Sequence, residues 1–164
     1  YGLPEPSVPA SLFYTVYMSQ EKLHSILETC SVCIAYLPFH EEVEYSTFSF
    51  PPKIHFRKIV LSNDKNTDPF KTALELEGKL RNEKVCIFIP GTAFDVFGTR
   101  HGRGAGWYDR LLSRVPKEWI RIGVTDVPRF SHERLTRESW DEPMDWILVY
   151  DTLTSSWEVY EAMP

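Results

Sequence analysis

The residues best equipped for chemistry lie in one run, Gly98-Thr-Arg-His-Gly-Arg-Gly-Ala-Gly-Trp-Tyr-Asp109. It holds four of the chain's eight glycines: Gly98, Gly102, Gly104 and Gly106. Positions without a Cβ let successive backbone N–H groups turn into one concavity and let a ligand approach the main chain. Arg100 and Arg103 add forked, permanently charged donors suited to phosphate oxygens. A helix beginning at Trp107 would point its N-terminus at the same place. Asp109 closes the run with a hard oxygen ligand of the kind Mg²⁺ takes. The spacing therefore describes a phosphate cradle from Arg100 to Asp109. A flexible glycine-rich turn is the bland alternative. The run is not a Walker loop, since G-x-x-x-x-G-K-[ST] is absent, and it departs from the dinucleotide fingerprint.

Other reactive groups are thinner. Cys30 and Cys33 form a C-x-x-C, but a zinc site needs a second pair of ligands nearby and the sequence offers none. Three cysteines are too few for a disulfide scaffold, so a reducing compartment is the simpler reading. Glu41-Glu42-Val43-Glu44 is either a solvated acidic face or a binding segment. His101 reads as a surface histidine, and no Ser–His–Asp or Cys–His arrangement stands out. The net charge of −5 argues against nucleic acid held by bulk electrostatics. No apolar run is long enough to span a bilayer.

These residues need a scaffold. Tyr1–Ser11 carries three prolines and reads as extended, with the arm reaching to residue 18 and Ser19 capping a helix over 20–29. Apolar, β-prone runs at Cys30–Leu37, Val85–Ile89, Trp119–Val124 and Trp146–Tyr150 read as buried strands, with a weaker one over 54–61. Helical spacing marks Pro69–Asn82 and Trp107–Arg114. Strands alternating with helices predict one α/β domain over 1–164. Its sheet is mostly parallel, with helices on both faces in three layers and the glycine run at the carboxyl side.

Pro90-Gly-Thr-Ala-Phe-Asp95, Gly98-Thr-Arg100 and Gly102-Arg-Gly-Ala-Gly-Trp-Tyr-Asp-Arg110 together resemble the signature of 5-formyltetrahydrofolate cyclo-ligases: P-G-x-A-F-D, then G-x-R-L-G-x-G-x-G-Y-Y-D-R. Glu138-Ser-Trp-Asp141-Glu-Pro-Met-Asp145 resembles that family's E-x-H-D-x-P-x-D segment, so the likeness runs from Ile87 to about Val149. Ile34–Glu44 is similar, more loosely, to the family's strand with its downstream acids, although Tyr45 stands where threonine is usual. Tyr1-Gly-Leu-Pro-Glu-Pro6 resembles a further family motif, but out of order. Within the signature, His101 replaces leucine, Trp107 replaces tyrosine and Trp140 replaces histidine.

The resemblance implies an ATP-binding loop made by Arg100, Gly102, Arg103, Gly104, Ala105, Gly106, Trp107 and Tyr108, with Arg103 and Tyr108 in the catalytic positions. It implies Mg²⁺ on Asp109 and Asp141, and a reduced folate against Leu37, Glu42 and Trp107. The implied activity converts 5-formyltetrahydrofolate and ATP to 5,10-methenyltetrahydrofolate, ADP and phosphate, in the cytoplasm or mitochondria. The competing reading is a catalytically reduced relative acting as a scaffold or assembly subunit with protein partners.

Overall fold

The computed structural model describes residues 10–39, 42–48, 55–62, 64 and 66–164, without side-chain detail at 10 and 12–17. The displaced Tyr1–Pro6 motif and Glu41 lie outside the described residues.

Five parallel strands and one antiparallel edge make the main sheet. They are β1 (Val32–Tyr36), β2 (Arg57–Leu61), β3 (Val85–Pro90), β6 (Ile120–Asp126), β8 (Trp146–Asp151) and β9 (Ser156–Glu161), in the order β2-β1-β3-β6-β8-β9. Only β9 runs antiparallel, against β8. The apolar runs VCIAY and VCIFIP are buried at every position, as expected for strands covered on both faces. Val85–Ile89, expected as an interior strand, indeed sits between β1 and β6.

Alternation along these strands divides the core in two. Val85, Ile87 and Ile89 pack with Ala73 and Leu76 of α2 (Pro69–Lys79), with Leu80 at its C-cap, and with Leu111 and Leu112 of α3 (Trp107–Leu112). Cys86 and Phe88 pack on the opposite face with Leu23 and Leu27 of α1 (Ala10–Leu27). The result is the expected three-layer arrangement. Asp68 starts α2 by accepting a hydrogen bond from the Phe70 amide at 2.9 Å, with Pro69 in the first turn, where its missing N–H costs nothing.

Two expectations change. From Ala10 on, the extended arm to residue 18 and the cap at Ser19 give way to a helix that holds Ser19 in its interior. The helix at Trp107 has six residues rather than eight, so little dipole faces the glycine loop.

A second, small sheet of β4 (Ala93–Asp95), β5 (Arg100–His101) and β7 (Phe130–Ser131) sits beyond the carboxyl end of β3. Phe94, fully buried, lays its ring on Gly123 of β6, where a Cβ would come within 2.3 Å of the ring. Asp95, also fully buried, accepts hydrogen bonds from the amides of Phe97 and Thr99 at 2.9 Å and of Leu135 at 2.8 Å. That carboxylate fixes the turn through Gly98 and so aims β5 back over the end of β3.

Candidate functional site

The glycine loop runs from Gly102 to Gly106, between β5 and α3, at the carboxyl side of the parallel sheet, where α/β folds form their ligand crevices. Gly104 and Gly106 have φ of +92° and +65°, a region costly for residues with a Cβ. Both face open space. Among the described residues, no amide from Arg103 to Gly106 donates to a protein acceptor. Arg110 clamps the far side of the loop, its Nη2 donating to the Ala105 carbonyl at 2.6 Å and its Nε to that of Gly106 at 3.2 Å.

Arg100 lies beneath the loop. Its side chain is 6% exposed, its Nε donates to the Pro90 carbonyl at 2.6 Å, and Nη1 stands 3.7 Å from Asp109 Oδ2. The guanidinium carbon is 5.1 Å from the centre of the Tyr108 ring. A Cβ on Gly102 would sit 2.9 Å from Nη2, so that glycine is what lets the guanidinium come so close. Burial pulls the Arg100 guanidinium's pKa down, against the opposing charges of Asp109, Glu42 and Asp141. Burial also pushes the Tyr108 phenol well above its ordinary range, with Arg100 working the other way. Tyr108 is therefore neutral at physiological pH, a donor rather than a base.

Asp109 keeps one oxygen toward Arg100 and accepts the Glu142 amide on the other at 3.0 Å. The preceding residue, Asp141, closes a tight turn by accepting the Glu138 amide at 2.8 Å. Glu142 anchors this segment to β6: its carboxylate meets Arg121 at 2.7 Å and Lys117 at 3.0 Å. Burial would raise its pKa, but the two cations outweigh that and hold it low.

The residues after β1 meet the loop from the other side. Arg103 Nη2 donates to the Phe39 carbonyl at 3.0 Å, stands 3.7 Å from Glu42 Oε1, and its guanidinium lies 4.6 Å over the Phe39 ring. Glu42 Oε2 accepts the Phe39 amide at 2.9 Å. Two tyrosines pin this segment, Tyr36 donating to the Val43 carbonyl at 2.7 Å and Tyr45 to the Tyr36 carbonyl at 2.9 Å. Tyr45, the residue at odds with the signature, thus has a structural task. Burial, with Cys33 and Glu44 nearby, pushes its phenol up to about 12. An open hollow of about 370 Å³ lies beside Glu42, lined also by Val43, Glu44, Thr47, Asp126, Arg129 and Tyr150.

Contacts thus form two groups, Arg100 with Tyr108 and Asp109, and Arg103 with Glu42, while Asp141 is one residue from the Asp109 partner. Trp107 turns inward: its indole N–H donates to the Thr67 carbonyl at 2.8 Å and its ring meets Tyr108 edge-on at 5.0 Å. Leu37, half exposed, sits at the end of β1. Sequence reasoning missed Phe39, Thr67, Asp95 and Glu142. Asp95 and Glu142 lie inside the motifs quoted above, where no role was assigned to either.

Mg²⁺ accepts one or two carboxylates and completes its shell with water and phosphate oxygens. Asp109 has its two oxygens on Arg100 and the Glu142 amide, and Asp141 has one on the Glu138 amide. Among the described residues, no group of three or more acidic, histidine or cysteine side chains forms a self-sufficient metal cage. Cys30, Cys33 and Cys86 are buried free thiols.

Fold and site define a parallel-sheet α/β protein with an arginine-flanked glycine loop at the end of its central strand. The model of the 5-formyltetrahydrofolate cyclo-ligase family matches residues 54–150, further upstream than the signature reaches. The chain belongs to this family. It is 37% identical over 67 residues to a 5-formyltetrahydrofolate cyclo-ligase of Mycoplasma genitalium, covering 41% of this chain and 39% of that one. It is 41% identical over 69 residues to one from Haemophilus influenzae, covering 42% and 36%. The matches thus span well under half the length of these curated relatives. The solved structure of a 5,10-methenyltetrahydrofolate synthetase from Aquifex aeolicus shares the fold, with a TM-score of 0.55 at 23% identity, covering 93% of this chain and 84% of that one. No helix among the described residues is long and apolar enough to cross a membrane.

Proposed function

We propose that this protein converts 5-formyltetrahydrofolate and ATP to 5,10-methenyltetrahydrofolate, ADP and phosphate. The observation that carries the proposal is the run of amides from Arg103 to Gly106, unpartnered among the described residues, with Arg100 before it and Asp109 after it. Such a nest is matched to polyphosphate oxygens.

In this reading the amides and Arg103 hold the phosphates, and Arg100 orients Asp109 from below. Asp109 and Asp141 would hold Mg²⁺, which when bound would supply positive charge to the phosphates. The formyl oxygen attacks the γ-phosphorus as the bond to the ADP oxygen breaks. N10 then closes on the activated carbon and gives up its proton. The carbon–oxygen bond breaks, and phosphate departs with the formyl oxygen. The chain's task is alignment and charge stabilisation, with Tyr108 as a neutral donor and no covalent nucleophile. The folate would lie against Leu37 and Glu42, with the hollow beside Glu42 open to it. Trp107, anchored on Thr67, would back the loop. The free thiols favour a reducing compartment such as the cytoplasm.

The scaffold reading expects a loop filled by Trp107 or blocked by Tyr1–Ser11; Trp107 instead donates to the Thr67 carbonyl, and residues 1–9 lie outside the described residues. The test is phosphate release with the chain, Mg²⁺, ATP and 5-formyltetrahydrofolate. Release should require all three ligands and match methenyltetrahydrofolate formed, one for one. A well-folded chain that releases no phosphate above the protein-free blank would remove the ligase reading.

A further inference from the structure

Arg103 is the exposed cation of the glycine loop, yet three contacts hold it against the β1 side of the site. These are the Phe39 carbonyl at 3.0 Å, Glu42 Oε1 at 3.7 Å and the face of the Phe39 ring at 4.6 Å. Its side chain remains 43% exposed, while the Glu42 carboxylate it faces is only 16% exposed. The Glu42 position is fixed independently, by the Phe39 amide on its other oxygen and by the Tyr36 and Tyr45 phenols holding the segment that follows. The mobile partner is therefore the arginine.

We infer that Phe39 and Glu42 form a latch on Arg103 that must open for polyphosphate to bind, and that this latch couples the two ligand subsites. The inference rests on the ligase reading. A phosphate that recruits Arg103 strips a largely buried carboxylate of its cation. Glu42 then becomes a stronger acceptor for N–H groups of a ligand entering the hollow it lines. A donor-rich heterocycle that satisfies Glu42 conversely frees Arg103 for phosphate. Each ligand removes the other's competitor, so their binding is mutually favourable, and the coupling is the same in both directions. Phe39, to which the sequence assigns nothing, is a positioning residue through its carbonyl and ring.

Glu42→Gln separates the latch from the turn that carries it, because the amide oxygen can still accept the Phe39 N–H while the charge opposite Arg103 is gone. The probe is a non-hydrolysable ATP analogue with Mg²⁺, titrated by calorimetry without folate. The variant should bind it about fivefold more tightly than the parent, the lower end of ordinary coupling between sites. Glu44→Gln, which removes an acid of the same hollow that is bonded to the Ser46 amide instead, should change affinity less than about twofold, the screened effect of an exposed charge. In an Arg103→Ala background the gain from Glu42→Gln should vanish. A parent that binds the analogue while Glu42→Gln binds it equally or more weakly overturns the latch and leaves the ligase reading standing. The same gain with and without Arg103 also overturns it, leaving only a general field effect. Failure of the parent to bind the analogue at all defeats the ligase reading, and the latch with it.

Discussion

Asp109→Asn should reduce folate-dependent phosphate release by a factor on the order of 10²–10³, the usual cost of losing a group that stabilises transition-state charge. The substitution is nearly isosteric. Its side-chain oxygen can still accept the Glu142 amide, which Asp109 now holds at 3.0 Å, so the neighbouring turn should stay in place. What is lost is the negative charge that faces Arg100 at 3.7 Å and would help hold Mg²⁺. Stability should also fall. Removing one partner of a buried ion pair costs about 3–5 kcal/mol. Asn should cost less than that here, because the Pro90 carbonyl and the Tyr108 ring still hold the guanidinium. The Asp109→Ala variant loses the amide bond as well and should be the less stable of the two. Paired activity assays and thermal melts resolve the two effects. Activity of Asp109→Asn within threefold of the parent would remove Asp109 from the chemistry.

The largest loss of stability is expected outside the proposed contacts, at Gly98. Its φ is +84°, and a Cβ there would lie 2.4 Å from the Met144 carbonyl oxygen and 3.1 Å from the Ala162 side chain. The obstacle is backbone, and it cannot swing aside as a side-chain tip would. The Gly98 carbonyl itself accepts the Met144 amide at 2.9 Å. Gly98→Ala therefore combines backbone strain with a forced separation of two bonded segments, at about 3 kcal/mol or more. One segment carries the glycine loop and the other carries Asp141, so the substitution should also weaken nucleotide binding. Gly78→Ala is the contrast. Gly78 lies in α2 with nothing within 4 Å of an added Cβ, so alanine should be neutral or stabilise by up to about 1 kcal/mol. Urea denaturation of both variants measures the difference, and a Gly98→Ala variant within 0.5 kcal/mol of the parent, roughly the scatter of ordinary surface changes, would contradict this account of the turn.

What the sequence revealed follows from what is local. The strands of the sheet interior were legible because burial on both faces demands unbroken apolar runs, as in VCIAY and VCIFIP. The edge strand β9 was not. Its sequence SWEVYE buries only Val159 fully and has the mixed character of a half-exposed segment. The strands β4, β5 and β7 have two or three residues each, too few to show a period. The start of α1 was hidden by the prolines before it and by the aromatic and β-branched residues of Leu12–Tyr17, and Ser19 followed by Gln20-Glu21 imitates a cap.

The site divides the same way. Gly98–Asp109 is contiguous, so its glycines, arginines and carboxylate could be read directly. The partners that orient them come from distant parts of the chain, with Phe39 64 positions from Arg103 and Thr67 40 from Trp107. Nothing in residue type announced that Arg103 would rest on a carbonyl and a phenyl ring, or that Trp107 would turn inward to anchor the loop. Those pairings depend on how β1, α2 and α3 meet around the end of β3.

The most direct test of the central claim is calorimetry of the chain with Mg²⁺ and a non-hydrolysable ATP analogue, alone and with saturating 5-formyltetrahydrofolate. The account predicts binding of the nucleotide that strengthens when the folate is present and is lost in Asp109→Ala. A well-folded chain that takes up neither ligand would contradict it.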